Sequence, residues 1–219
     1  MSAGFFITGT DTDVGKTWAS VALMRALQAK GLVVSGMKPV AAGCDWLESS
    51  WKNQDALLLQ QYASLDFEYH RINPYAFERP VSPHVACEGV EVNERVILDS
   101  FDYLKANSDC VIVEGAGGWL SPLGRELDNA QLAKALSLPV ILVVGMRLGC
   151  INHARLTVQA IRQSELDIKG WLAVKLQPDM PEFQANLDFL RYSLNTPILG
   201  VLPNLASPDF DVLAACIKI

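Results

Sequence analysis

The 219-residue sequence has few charged residues, and its basic residues form no cluster. Only 19% of the residues are charged, and the acidic ones are in excess, which gives a formal net charge of −6. Surfaces that bind nucleic acid or anionic membranes need clustered lysines and arginines. The composition therefore excludes both as partners and points to small-molecule ligands.

The sequence also lacks paired cysteines, clustered histidines and long apolar runs. Its five cysteines include no Cys-x-x-Cys pair and its three histidines are dispersed, which argues against a zinc site. Scattered free thiols are typical of a reducing compartment. The longest apolar run, residues 139–146, is too short to cross a bilayer, and no secretory signal is visible. These features predict a soluble cytoplasmic protein.

A phosphate-binding loop is predicted where an apolar run precedes two glycines and a Lys-Thr pair. Gly9 and Gly15 bound the loop, and Lys16 and Thr17 open a helical pattern. In such loops backbone N–H groups surround phosphate oxygens, the lysine contacts the β- and γ-phosphates, and the hydroxyl ligates Mg²⁺. Five residues separate the glycines instead of the usual four. The strand–loop–helix context nevertheless favours nucleotide binding over an ordinary glycine-rich turn.

Apolar runs of strand length alternate with helical patterns along the chain. Strands are predicted at residues 4–8, 33–37, 110–114, 139–145, 170–175 and 197–201. Helices are predicted at residues 16–30, 55–63, 93–106, 129–136, 152–163, 182–194 and 209–216. This alternation predicts an α/β fold of the P-loop NTPase type, a doubly wound and mostly parallel sheet flanked by helices, in one domain over residues 1–219. The proline-bearing residues 67–92 are expected to form a binding loop.

Charged residues follow other predicted strands. Glu114 ends a buried strand before a glycine-rich turn, where enzymes of this type place a second Mg²⁺ anchor; the alternative is a solvated glutamate. Lys38 ends the second strand and could stabilise charge on a transferring γ-phosphate, although a lone strand-end lysine is more often a surface charge. For Asp55, which opens a helix, a capping role is the simpler interpretation from the residues alone.

Together these motifs resemble those of the dethiobiotin synthetase family. The matching stretches are residues 9–17, 38–40, 73–75, 82–84, 114–119 and 149–154, and the longer phosphate loop is that family's own form. The resemblance implies ATP-dependent closure of a ureido ring in biotin biosynthesis. In that reaction 7,8-diaminononanoate takes up CO₂ as a carbamate, the carbamate attacks the γ-phosphate of ATP, and the second amine displaces phosphate from the resulting anhydride. The family's enzymes are homodimers.

The resemblance also implies roles for individual residues. Catalytic roles fall on Lys38, Lys16 and Thr12, and Mg²⁺ ligation on Thr17, Asp55 and Glu114. ATP contacts fall on Asp13, Val14, Gly15, Lys16, Thr17, Trp18, Asp55, Glu114, Gly115, Ala116, Gly117, Val174, Lys175, Pro203, Asn204 and Leu205. Substrate contacts fall on Thr12, Lys38, Ala42, Ser82 and Pro83, and across the subunit interface on Gly149, Cys150, Ile151 and Asn152.

The chain departs from the family pattern at three positions. Asp13 stands where glutamate is common, and Ala42 stands where a serine can touch substrate, so one neutral hydrogen bond worth about 1 kcal/mol is lost. Val174 replaces the asparagine whose amide reads the adenine edge. We therefore expect nucleotide binding to persist with a relaxed preference for ATP over other nucleoside triphosphates.

Two alternatives share parts of this pattern. A ParA/MinD-like switch ATPase uses a lysine near the start of the phosphate loop, and residues 10–14 contain none. A related ligase or amidotransferase with another substrate often carries a glutaminase domain, for which the chain leaves no room. Both alternatives are therefore less favoured than the synthetase.

Overall fold

The computed structural model describes residues 4–219, so the first three residues of the predicted domain lie outside the described part. The strands are β1 (Gly4–Gly9), β2 (Val34–Met37), β3 (Val40–Ala42), β4 (Asp45–Leu47), β5 (Ser50–Lys52), β6 (Tyr75–Phe77), β7 (Cys110–Gly118), β8 (Val140–Met146), β9 (Ile168–Lys175) and β10 (Ile198–Leu202). The helices are α1 (Lys16–Gln28), α2 (Gln54–Gln61), α3 (Tyr69–Ile72), α4 (Pro83–Ala86), α5 (Glu94–Ala106), α6 (Asn129–Leu136), α7 (Cys150–Gln163), α8 (Phe183–Ser193) and α9 (Phe210–Ala215).

The main sheet has six strands in the order β10-β9-β8-β1-β7-β2. All of its pairings are parallel, with Phe5 of β1 opposite Ile112 of β7 and Ile7 opposite Ile141 of β8. The chain runs from β1 to β2 on one side of the sheet and later reaches β8 on the other. The carboxyl end of β1 therefore lies where the connections diverge, the usual ligand position in such sheets. The predicted α/β fold class is confirmed.

All six predicted strands belong to this sheet, with ends that differ by a few residues. The largest difference is at β7, which continues from the predicted end at Glu114 to Gly118. Helix α1 ends at Gln28, and α7 begins at Cys150, because Gly149 takes a left-handed conformation (φ 93°) just before it.

The prediction that residues 67–92 form an irregular loop was wrong in part, because α3, β6 and α4 lie within this segment. Strand β6 pairs in parallel with β3 through Val40 and Tyr75, and β4 pairs with β5 in a hairpin. The hairpin turns at Glu48 and Ser49, which both have positive φ. Strands of three residues are too short to show a hydrophobic period, so the sequence does not reveal them.

The core consists of two groups of buried side chains on the faces of the main sheet. The larger one surrounds β1, β7 and α1, and the smaller one lies between β8, β9 and α7, with Trp171 fully buried in it. Burying each large apolar side chain contributes about 1.5–3 kcal/mol. In residues 4–219 no helix is long and apolar enough to cross a membrane. The described cysteines are free thiols, and Cys216 alone among them is only partly buried.

Candidate active site

The phosphate-binding loop joins β1 to α1 and requires glycine at both ends. Gly15 has a left-handed backbone (φ 83°), and a Cβ there would lie 2.9 Å from Cγ1 of Val174. A Cβ on Gly9 would lie 2.6 Å from Cγ2 of Val14. Among the described residues no side chain caps α1. The first turn of this helix therefore offers its N–H groups to an anion at the carboxyl edge of the sheet.

Lys16 is buried and folds back over its own loop. Its Nζ donates a hydrogen bond to the backbone oxygen of Asp11 at 2.8 Å. Burial, followed by the nearby charge of Lys38, lowers the pKa of Lys16 to about 8. The ammonium therefore has one neutral acceptor where a triphosphate would provide charged ones.

A compact cluster forms where the end of β2, the middle of β7 and the starts of α2 and α1 meet, and its members are Lys38, Glu114, Asp55 and Thr17. Lys38 Nζ donates to Oε1 of Glu114 at 2.6 Å and to Oδ2 of Asp55 at 3.2 Å. The Thr17 hydroxyl donates to the same Oε1 of Glu114 at 2.9 Å. Glu114 is fully buried, and its Oε2 has no hydrogen-bond partner among the described residues.

The charges of this cluster stabilise one another. Burial alone would lower the pKa of Lys38, but the carboxylates of Glu114 and Asp55 raise it above the ordinary value. Burial alone would raise the pKa of Asp55, but the charge of Lys38 and its hydrogen bond hold it below the ordinary value. Lys38 is therefore a permanent cation and Asp55 a permanent anion at neutral pH.

The oxygen atoms of the cluster fit a magnesium ion. Mg²⁺ in nucleotide-binding enzymes is held by one or two carboxylates, waters and substrate phosphates. Glu114 Oε2 is a buried acceptor without a donor, and Thr17 gives its proton to Glu114, which leaves its own lone pairs available. Residues 4–219 contain no group of three or more His, Cys, Asp or Glu side chains suited to a metal. Ligation of a metal here would therefore also need oxygen atoms from a bound nucleotide.

A cavity of about 790 Å³ contains most of the predicted site residues. They are Thr12, Asp13, Gly15, Lys16, Thr17, Trp18, Lys38, Ala42, Asp55, Ser82, Pro83, Glu114, Ala116, Gly117, Val174, Lys175, Pro203, Asn204 and Leu205. Val14 and Gly115 lie beside the cavity without lining it. The residues predicted from the sequence therefore lie together in space, at the carboxyl ends of five strands of the main sheet and in the segments that follow them.

The predicted base-binding segments are the end of β9 (Val174 and Lys175) and the residues that follow β10 (Pro203, Asn204 and Leu205). Asn204 Nδ2 donates to the backbone oxygens of Lys175 at 3.3 Å and Leu176 at 3.1 Å, which ties the two segments together. Trp18 packs edge-on against Phe210, with ring centroids 6.3 Å apart. Apolar side chains (Val174, Leu176, Pro203 and Leu205) therefore line this end of the cavity together with Lys175 and Asn204.

The predicted substrate residues Gly149, Cys150, Ile151 and Asn152 are not part of the cavity within one chain. They form the start of α7, after Leu148, whose side chain is 98% exposed. The preceding Arg147 makes an ion pair with Asp11 of the phosphate-binding loop. The segment that leads into α7 is therefore joined to the phosphate-binding loop, although residues 149–152 do not line the cavity.

Several residues that shape the site were not predicted as site residues. Asn53, not Asp55, is the N-cap of α2: its Oδ1 accepts from the N–H groups of Asp55 at 3.1 Å and Ala56 at 3.4 Å. The capping interpretation of Asp55 was therefore wrong, although the asparagine two residues earlier is a recognisable capping signal. The cavity is also lined by Ala41, Asn53, Pro80, Val81, Ser121 and Leu176.

Asn129 fixes the last residues of β7, which follow Glu114. Its buried Nδ2 donates to the backbone oxygens of Ala116 and Gly118, each at 2.7 Å, and its Oδ1 accepts from the N–H of Ala116 at 3.2 Å. Nothing in the sequence signals this contact, because Asn129 lies at the start of a helix.

The chain as a whole is similar in sequence to a known protein family and to several known proteins. A family model described as an AAA domain matches residues 3–209. The ATP-dependent dethiobiotin synthetase BioD of Aromatoleum aromaticum is 46% identical over 98% of this chain and 96% of its own length. The proteins of the same name from Vibrio campbellii and Nitrosospira multiformis are 46% and 44% identical over 94% and 100% of this chain, and over 92% and 96% of their own lengths.

Solved structures with a similar fold are much more distant in sequence. A ParA family ATPase from Chlorobium tepidum has a TM-score of 0.57 at 12% identity and covers 94% of this chain and 86% of its own. The cell division protein FtsY of Thermotoga maritima has a TM-score of 0.52 at 13% identity, over 97% of this chain and 68% of its own. At such identities the likeness shows the fold alone.

Proposed function

The chain belongs to the ATP-dependent dethiobiotin synthetases, and we propose that its cavity closes the ureido ring with Lys16 and Lys38 on the reacting phosphate. The relatives' shared name gives the reaction class, a ligase of biotin biosynthesis that consumes ATP. The ParA-like switch is not favoured, because its likeness is confined to the fold. The observation that carries the assignment of residues is the contact of Lys38 with Glu114, opposite the phosphate-binding loop.

From the carbamate of the substrate, the reaction proceeds in two steps. A carbamate oxygen of the substrate attacks the γ-phosphorus of ATP, the bond to the bridging oxygen breaks, and ADP leaves. The second amine then attacks the carbonyl carbon of the mixed anhydride and expels phosphate, while its proton passes to solvent. Charge accumulates on phosphoryl oxygens in both steps, so fixed cations beside them lower the barriers.

Lys38 acts in this scheme as a fixed positive charge and not as a base. Its pKa is raised by Glu114 and Asp55, so it has no tendency to accept the amine proton at neutral pH. Lys16 exchanges the backbone oxygen of Asp11 for phosphate oxygens when ATP binds. Thr12 and Asp13, which line the cavity at the tip of the loop, lie beside the carbamate and the phosphate.

Thr17, Asp55 and Glu114 would hold Mg²⁺ together with phosphate oxygens of ATP. When bound, this ion supplies positive charge that neutralises the triphosphate. Glu114 is suited to this role because its free Oε2 is buried and its backbone belongs to the central strand β7.

A homodimer would complete the substrate site. The start of α7, residues 149–152, lies outside the cavity of its own chain and next to the exposed Leu148. Its uncapped N–H groups suit a carboxylate, and a second subunit could present them to the far end of the substrate. We assign the reaction to the cytoplasm, where ATP is available and free thiols such as those observed persist.

Phosphate release tests the proposal directly. We expect release from ATP and Mg²⁺ to require both 7,8-diaminononanoate and bicarbonate, and to fall by about 10²–10³ in Lys16→Gln and Lys38→Leu. Arg95→Met, a change on the exposed face of α5, serves as the control and should leave the rate unchanged. Release that is indifferent to the diamine would reject the synthetase and favour the switch ATPase. Sedimentation velocity at micromolar concentration tests the dimer, and a monomer at full activity would contradict it.

A further inference from the structure

Lys38 and Asp55 are held together although the chain between them takes a long detour. They lie 17 residues apart, and their side chains are 3.2 Å apart. The intervening residues form β3 and the hairpin of β4 and β5, of which β4 is exposed. A loop of this length does not by itself fix the distance between its ends to a fraction of an ångström. Other contacts must therefore set the position of α2 relative to β2.

The Tyr69 hydroxyl connects α2 to β2 through hydrogen bonds. It accepts a hydrogen bond from the backbone N–H of Asn53 at 2.7 Å and donates one to Oδ1 of Asn73 at 2.9 Å. Asn73 in turn donates from Nδ2 to the backbone oxygen of Lys38 at 2.6 Å and to that of Tyr75 at 3.1 Å. Every donor in this series meets an acceptor, which fixes the orientation of the Asn73 amide.

Each end of the series is tied to a charged residue of the site. Asn53 caps α2 and accepts from the N–H of Asp55, so displacement of Asn53 moves Asp55 with it. At the other end, the N–H of Lys38 also donates to the backbone oxygen of Ile72 at 2.8 Å, directly before Asn73. Asn53 and Asn73 are both buried. Hydrogen bonds in such surroundings are strengthened by the low local dielectric constant.

We propose that Tyr69 is a positioning residue for phosphoryl transfer: through Asn53 and Asn73, its hydroxyl sets the distance between Asp55 and Lys38. This inference rests on the proposed function, because it assumes that these two charges act on the triphosphate. Tyr69 touches neither of them. Burial raises the pKa of Tyr69 to about 12, so the hydroxyl keeps its proton throughout the working pH range of the enzyme. The hydroxyl can therefore donate and accept at the same time.

Tyr69→Phe, made in the full chain, removes the link and keeps the ring. Tyr75→Phe is the matched control, because its hydroxyl accepts instead from the backbone N–H of Asn93 at 2.9 Å, outside the series. We expect kcat to fall about tenfold in Tyr69→Phe, as for loss of a buried hydrogen bond, with KM for ATP changed less than threefold. In the protein without nucleotide, the side-chain ammonium NMR signal of Lys38 should also shift. Tyr75→Phe should change neither quantity.

A double-mutant cycle shows whether Tyr69 acts through Asp55. If it does, Tyr69→Phe lowers kcat much less in an Asp55→Asn background than in the wild type, whereas independent sites multiply their effects. Multiplicative losses, or a Tyr69→Phe enzyme within twofold of Tyr75→Phe, would overturn the inference. If Tyr69→Phe does not fold, Asn73→Ala cuts the same series and is held to the same criteria. If Lys38→Leu and Asp55→Asn keep the full rate, the proposed roles fail, and with them the basis of this inference.

Discussion

Removal of Lys38 from the buried Lys38–Glu114 pair should cost more stability than removal of Glu114, and removal of both should cost less than the sum of the two single losses. Lys38→Met leaves the Glu114 carboxylate fully buried, with Thr17 as the one remaining donor to Oε1 and none to Oε2 among the described residues. Breaking a buried pair in this way costs about 3–5 kcal/mol. In a protein of this size that lowers Tm by roughly 6–20 °C. Glu114→Gln should cost less, about 1–3 kcal/mol, because Asp55 still pairs with Lys38 and the amide oxygen still accepts.

In the double variant Lys38→Met/Glu114→Gln neither substitution leaves the charge of the other partner buried and unpaired. Its loss should therefore be smaller than the sum of the single losses by about 2–4 kcal/mol. Urea unfolding followed by tryptophan fluorescence, in EDTA and without nucleotide, measures all four free energies. The exposed Arg95–Asp99 pair on α5 gives a control cycle, for which we expect a coupling of about 0.5 kcal/mol or less. Additive losses at Lys38 and Glu114, or a coupling no larger than that of the control, would refute the reasoning.

Three further predictions concern selectivity, pH and thiol reactivity. The wild-type enzyme should use GTP and CTP with kcat/KM values within about tenfold of that for ATP. Val174→Asn should raise the preference for ATP about tenfold, because one hydrogen bond to the base supplies about that much discrimination. Measured kcat/KM values for the three nucleotides test this, and a strong wild-type preference for ATP would contradict it. We expect the ammonium form of Lys16 to bind phosphate, and this form is lost as pH rises through its pKa of about 8. The Kd for ATP should therefore be constant below that pH and rise above it by up to about tenfold per pH unit. Calorimetric titrations between pH 7 and 9.5 test this, and the rise should vanish in Lys16→Arg. Iodoacetamide at pH 8 should label Cys216 before the buried thiols, since burial raises the pKa of Cys44 and Cys110 to about 11, and mass spectrometry that finds Cys44 labelled first would disprove the order.

The main sheet could be predicted from the sequence because its strands are buried on both faces. Continuous apolar runs such as that of β8 record this burial residue by residue, and the intervening helices require parallel pairing. The phosphate-binding loop could also be predicted from the sequence, because its conformation depends on a few adjacent residues such as Gly15. Strands β3 and β6 were missed because their pairing joins Val40 to Tyr75, which no local pattern connects.

The contents of the site were predictable to the extent that they lie at strand ends. Lys38 follows β2 and Glu114 lies in the neighbouring strand β7, and the parallel register that places Met37 opposite Val113 brings the two side chains together. Asp55 is different, because its position depends on a helix reached through a hairpin. The hydrogen bonds of Tyr69 and Asn73 that hold this helix in place join residues with no shared periodicity. Such contacts are visible only once the fold is known.

The two buried lysines of the site show how identical side chains acquire different tasks. Lys38 contacts two carboxylates, which outweigh the effect of burial and keep it charged and fixed. Lys16 contacts one backbone oxygen, so burial dominates and its pKa falls. A triphosphate can therefore attract Lys16 without breaking an ion pair, whereas moving Lys38 would leave Glu114 buried and unpaired. We therefore propose that Lys16 moves to bind the nucleotide and that Lys38 stays at the reacting centre, because carboxylates contact Lys38 directly and do not contact Lys16.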